Sequence, residues 1–223
     1  MQLLYSADST ACADALYERL TTDLQAGKET LWFMTGGSNV AVDLAVMARL
    51  DDELTIYLTV TLTDERFGPY GHADSNWQQL QEQGLNLKQA RAFSVLQQNN
   101  LDLAATTKLY ADNLEAALAS AESVVGFYGM GPDGHIAGIL PQTPAIQASG
   151  AVTSYITDTF TRITTTFKTI ERCDIAYVFA AGDTKRPALE DLQRELPLDS
   201  QPAQILKRLP QAYVFNDQIG DHR

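Results

Sequence analysis

His135 stands at the exit of a glycine-rich turn, inside the stretch VVGFYGMGPDGHIAGILP that runs from Val124 to Pro141. An imidazole with an ordinary pKa near 6.5 can accept and return a proton around neutral pH. The chain has 3 histidines, and His135 is the one placed between a buried apolar run and a dense set of glycines. Asp133, two residues earlier, is suited to fixing the loop or orienting the imidazole. Cations and small polar groups cluster at four further points. Gly36-Gly37-Ser38 follows an apolar run and precedes a helical pattern, a turn whose N–H groups and hydroxyl can face an anion. Asp64-Glu65-Arg66 ends a β-rich run, where open α/β sheets bind ligands. Arg162 opens the Thr-rich segment RITTTF, an odd place for a charge with no role, and Lys185 follows Gly182 at the next helix start. The chemistry implied is proton transfer beside a bound anion.

Blander readings compete at each point. Gly129, Gly131 and Gly134 satisfy G-x-G-x-x-G, the dinucleotide fingerprint. That fingerprint needs a helix of several turns, and Pro141 leaves room for only about two. Asp133 would also set a negative charge beside the pyrophosphate. A tight turn with an incidental surface histidine is the other alternative for this stretch. A glycine pair serves many strand-to-helix turns for geometry alone. Asp64 and Arg66 can pair locally in a solvated loop, and His72, between Gly71 and Ala73, reads as structural or exposed.

The formal net charge of −12 argues against nucleic acid or an anionic membrane as partner. An acidic protein that binds an anion must gather its few cations in one pocket, where a low dielectric strengthens each. No apolar run reaches the roughly 18 to 20 residues that span a bilayer, and MQLLYSADST lacks the features of a signal peptide. Cys12 and Cys173 have no metal-ligand spacing and are expected as reduced thiols of a cytoplasmic protein. No metal or cofactor is expected.

The elements that must position these groups alternate. Helices are expected over Asp8–Gln25, with Ser9 or Asp8 as N-cap and Gly27 as terminator, and over Val40–Leu50, Ser75–Gln83, Leu101–Ser120, from Pro187 onward, and over Gln201–Leu209. Strands are expected at Thr30–Met34, Leu54–Leu62 (as a central strand), Arg91–Leu96, Val124–Tyr128, Ala151–Thr157, Arg162–Phe167, Ile175–Ala181 and Ala212–Phe215. This order predicts one α/β domain over residues 1–223, a Rossmann-like, mostly parallel sheet flanked by helices.

Four segments taken together, MTGGSNVAVDL, TDERFGPYGHADSN, GMGPDGHIAGILP and RITTTFKTI…AGDTK, span nearly the whole chain. In this order they resemble the 6-phosphogluconolactonase family, within the superfamily that also holds glucosamine-6-phosphate deaminase/isomerase. The resemblance implies a Rossmann-like fold without a dinucleotide and a soluble enzyme of the oxidative pentose phosphate pathway. It implies hydrolysis of 6-phosphogluconolactone, with His135 as general base and acid and Asp133 beside it. By the same resemblance Gly36, Gly37, Ser38, Asp64, Arg66, Arg162 and Lys185 bind the substrate, the cations meeting at its phosphate. A small-molecule sugar phosphate is the expected partner, and a monomer or weak homo-oligomer the expected state.

The chain departs from the lactonase pattern at Asn39-Val40 and at Ile136-Ala137-Gly138-Ile139-Leu140. Ile136-Ala137 matches the deaminases instead. Leu140, however, occupies the place of their histidine-supporting glutamate, and Arg66 replaces their preferred tyrosine. The lactonase is therefore favoured. A deaminase or isomerase with Asp64 as carbon base, and a non-catalytic sugar-phosphate sensor, are the alternatives.

Overall fold

A computed structural model describes residues 1–98 and 101–222. In chain order the elements are β1 (Gln2–Tyr5), α1 (Thr10–Gln25), β2 (Thr30–Met34), α2 (Val40–Arg49), β3 (Leu58–Leu62) and β4 (Asp64–Arg66). They continue with α3 (Asn76–Glu82), β5 (Arg91–Ala92), α4 (Leu103–Ser120), β6 (Ser123–Gly129), β7 (Val152–Ile156) and β8 (Thr161–Thr165). The chain ends with α5 (Phe167–Ile170), β9 (Ile175–Ala180), α6 (Arg186–Leu192), β10 (Gln211–Asn216) and β11 (Asp221–His222).

Eight strands form a parallel sheet in the order β11-β1-β10-β9-β6-β2-β3-β5. Strands buried on both faces of such a sheet read as continuous apolar runs. Every residue of β2 is buried, as are Val124 to Tyr128 of β6. The chain winds outward from β2 through β3 to β5, then returns to lay β6 on the other side of β2. That reversal leaves a crevice between the carboxyl ends of β2 and β6, where open α/β sheets bind ligands. Gly36-Gly37-Ser38 follows β2, and the His135 loop follows β6.

A second, antiparallel sheet has the order β4-β8-β7. The sequence reading missed it: Asp64-Glu65-Arg66 is a separate short strand and not the end of the one before it, and the Thr-rich strand lies outside the parallel sheet. Three residues carry too little periodicity to announce a strand, and their partner is about 100 positions away in the chain. Other expectations shift for local reasons. Leu54–Tyr57 is a 3₁₀ turn, so the strand starts at Leu58 and lies next to the edge, not at the centre. Only Arg91 and Ala92 pair with β3. The segment after Gly134 forms no helix. Ile136 bridges Met130 and Ile139 in a tight reversal. Pro202–Arg208 is 3₁₀. The other predicted helices and strands fall close to their bounds, while β1, α5 and β11 were not predicted. Asp102 caps α4 by accepting from Ala105 N at 2.8 Å. No helix among the described residues is long and apolar enough to cross a membrane.

Candidate active site

A cleft of about 280 Å³ opens at the crevice. Gly36, Gly37 and Ser38 line it from the end of β2, and His135 from the loop after β6. Asp64, Arg66 and Arg162 line it from the small sheet, and Lys185 from the turn after β9. Residues far apart in the chain thus share one cavity, as the sequence reading required. Asp133 is absent from the lining. It stands behind His135.

The imidazole is held from behind. Asp133 Oδ1 lies 2.6 Å from His135 Nδ1 and 3.2 Å from the His135 backbone nitrogen. A carboxylate can only accept, so Nδ1 carries the proton and Nε2 is left as the basic nitrogen. Burial pushes the Asp133 carboxyl up, but the hydrogen bonds and charge of His135 outweigh it and hold it below the usual carboxylate range. The ring rests on Gly131, where a Cβ would meet Nδ1 at 2.1 Å. Any side chain there would evict the imidazole.

Alternation along short strands explains the small sheet's part. Asp64 and Arg66 share one face of β4, with Arg162 and Thr164 of β8 directly opposite them and Tyr155 of β7 opposite Arg162. Glu65 points the other way. Its carboxylate accepts from the backbone nitrogens of Asn76 and Trp77 at the N-terminus of α3, and from the Ser75 hydroxyl. Burial nevertheless raises its pKa. Asp64 is engaged on both oxygens: Thr63 Oγ1 donates to one at 3.1 Å, and Arg162 Nη1 lies 3.5 Å from the other.

Tyr155 and Thr164 also clasp the His135 loop. Thr164 Oγ1 accepts from Gly138 N at 3.0 Å, and Tyr155 Oη donates to Gly138 O at 2.5 Å while accepting from Leu140 N. Between these clasps and His135, Ala137 adopts φ +50°, a left-handed conformation that costs a residue with a Cβ about 1 to 2 kcal/mol. Across the cleft, Lys185 Nζ donates to Met130 O at 2.6 Å. Burial lowers its pKa, and the Asp217 charge opposes that shift.

Several residues escaped the list of site candidates. Asn76 lines the cleft and donates to Asp64 O at 2.9 Å. Asn39 donates to Phe179 O at 3.0 Å, tying the glycine turn to the end of β9. Asn39 was visible as a departure at the glycine turn, and Asn76 as the last residue of the segment TDERFGPYGHADSN. Nothing local in the sequence marked Tyr155. His72 proves to close a loop: its Nε2 lies 2.9 Å from Arg66 O, and it packs on Gly68.

The sequence model described as glucosamine-6-phosphate isomerases/6-phosphogluconolactonase matches residues 6–215. The chain belongs to that family. A 6-phosphogluconolactonase of Pseudomonas putida is 34% identical over 134 residues, which is 59% of this chain. The match spans 53% of the length of that curated relative. Among solved structures, a 6-phosphogluconolactonase from Shewanella baltica OS155 superposes with a TM-score of 0.81 at 21% identity, covering 97% of each chain. One from Thermotoga maritima gives 0.78 at 19% identity, covering 96% of this chain and 98% of its own. At these identities the superpositions establish the Rossmann-like α/β fold of the family, and the fold is as expected from the sequence.

Proposed function

We propose that this family member hydrolyses 6-phosphogluconolactone to 6-phosphogluconate, the lactone-opening step of the oxidative pentose phosphate pathway. The observation that carries the reading is the shared cleft. One imidazole backed by a carboxylate faces a cavity that also holds Arg66, Arg162 and Lys185. Neutral His135 takes a proton from water through Nε2 as the water oxygen attacks the C1 carbonyl. The tetrahedral intermediate then breaks its C1–O5 bond, and the imidazolium returns the proton to the departing O5. Asp133 keeps the tautomer and steadies the imidazolium. Ser38, Arg66, Arg162 and Lys185 bind the anionic end of the substrate.

One feature favours the lactonase over the deaminase reaction. Where a deaminase would support its histidine with glutamate, Leu140 has no carboxylate, and its backbone groups are taken up by Tyr155 Oη and Thr143 Oγ1.

Proton release from fresh 6-phosphogluconolactone, followed against the uncatalysed background, tests the reading. His135→Ala should lower kcat by roughly 10²- to 10⁴-fold with little change in KM. Wild-type turnover in that variant, or ammonia released from glucosamine 6-phosphate in place of lactone hydrolysis, would overturn the assignment.

A further inference from the structure

We propose that Phe160 is a positioning residue for the anion clamp: one phenyl ring supports both Arg66 and Arg162 and holds two like charges side by side. The proposal rests on reading this cleft as a phosphate site.

The arrangement poses an electrostatic problem. Arg66 and Arg162 are register partners on adjacent antiparallel strands. Side chains directly opposite there have Cβ atoms about 5 Å apart, and like charges in that position destabilise the pair. Asp64 offsets part of this, with its carboxylate 3.5 Å from Arg162 Nη1. Arg66 Nη1 donates to Asp74 O at 2.9 Å. Two guanidiniums and one carboxylate still leave an excess positive charge. The Nε atoms of both arginines are buried and find no hydrogen-bond acceptor among the described residues.

Phe160 offsets part of that excess charge. The Arg66 guanidinium carbon lies 5.1 Å from the centre of its ring, and that of Arg162 lies 5.7 Å away. An aromatic face is the negative part of the ring quadrupole and attracts a cation without neutralising it. A carboxylate in this place would cancel the charge that an oxyanion needs. The ring leaves that charge available and keeps both planes from swinging apart.

The ring is itself fixed. Phe160 sits in the β7–β8 turn, where Thr157 N donates to Phe160 O at 2.8 Å and Thr157 Oγ1 accepts from Phe160 N at 3.0 Å. Phe67 N donates to Thr161 O at 2.7 Å, stitching the turn to the strand that carries Arg66. Phe160 lies outside every motif that the sequence reading singled out.

The test compares Phe160→Leu, which keeps apolar bulk but loses the π face, with Phe160→Tyr, which keeps the face. Affinity for inorganic phosphate is measured by titration calorimetry at low ionic strength, and KM and kcat are measured with the lactone. Phe160→Leu should weaken phosphate binding and raise KM by roughly 5- to 30-fold, with kcat within about twofold of wild type. Phe160→Tyr should restore both. Wild-type phosphate affinity in Phe160→Leu, or equal weakening in Phe160→Tyr, would overturn the proposal, as would a wild-type protein that binds no phosphate. A wild-type protein with no lactonase activity but the same ranking of phosphate affinities would overturn the proposed reaction and uphold the clamp.

Discussion

In the parallel sheet, β2 and β6 end at the cleft in glycine turns, and what they bring is backbone together with one imidazole. In the antiparallel sheet, β4 and β8 run alongside the cleft and bring charged side chains from one alternating face. The central strands of the parallel sheet are buried on both sides, so only their ends are free to meet a ligand. The small sheet has a free face, so its strand interiors can. Under the proposed function, β4 and β8 bring Arg66 and Arg162 to the anion, joined there by Ser38 and Lys185 from the strand-end turns, and the loop after β6 carries the chemistry. Variants of the two regions should therefore fail in different ways.

Arg162→Ala tests the division most severely. A charge-assisted contact contributes roughly 1.5 to 3 kcal/mol, so KM should rise about 10- to 150-fold while kcat changes little. Removing the guanidinium also leaves Asp64 facing the anion, which pushes the effect toward the upper end. Steady-state kinetics decide it: a fall in kcat at unchanged KM would mean that the small sheet takes part in the chemistry.

Gly138→Ala probes the seam where the two regions touch. A Cβ at position 138 would lie 2.8 Å from Thr164 Cβ and 3.0 Å from Asp64 Cβ. Both atoms belong to residues of paired strands, so the loop must give way, losing its bonds to Thr164 and Tyr155. Overpacking of this type costs about 1 to 3 kcal/mol, and His135, three residues upstream, moves with the loop. Thermal stability and kcat/KM should fall together. An unchanged melting temperature would show that the seam is slack.

The same division explains what was legible in the sequence. TLWFM, VVGFY and IAYVFA read as buried strands because burial on both faces demands continuous apolar character. The glycine turns and Lys185 could be placed because each follows such a strand. The small sheet was hidden. Its members are three to five residues long, one is made of Asp, Glu and Arg, and their pairing depends on contacts distant in the chain. Tyr155 could not be found for the same reason: its role depends on facing Gly138, which only the assembled sheet creates. Resemblance supplied Arg66 and Arg162 as binding residues, but their adjacency, and hence Phe160, had to come from register.

Asp43→Asn should have the smallest effect, and it concerns the parallel side alone. Asp43 lies wholly buried on α2, its Oδ2 accepting from Thr35 N at 3.0 Å and from Thr35 Oγ1 at 3.1 Å, while Oδ1 is buried without a partner among the described residues. Those bonds tie the residue before Gly36-Gly37 to the helix after them. Burial raises the Asp43 carboxyl well above the usual range, and the two Thr35 bonds oppose that only in part. The folded state therefore holds a proton that the unfolded chain releases near pH 4. Between that pH and the raised folded value the native state binds more protons, so stability falls as pH rises, by at most on the order of 1 kcal/mol per pH unit. Asparagine keeps the acceptor for Thr35 and removes the titration. Glu65 carries a shift of the same sign, so wild type and variant must be compared over one pH range. Urea midpoints from pH 5 to 8 should fall more steeply in wild type than in Asp43→Asn, with KM for the lactone unchanged in the variant. Parallel slopes would acquit the buried carboxyl, and a raised KM would mean that the bonds from Asp43 to Thr35 also set the glycine turn's hold on the anion.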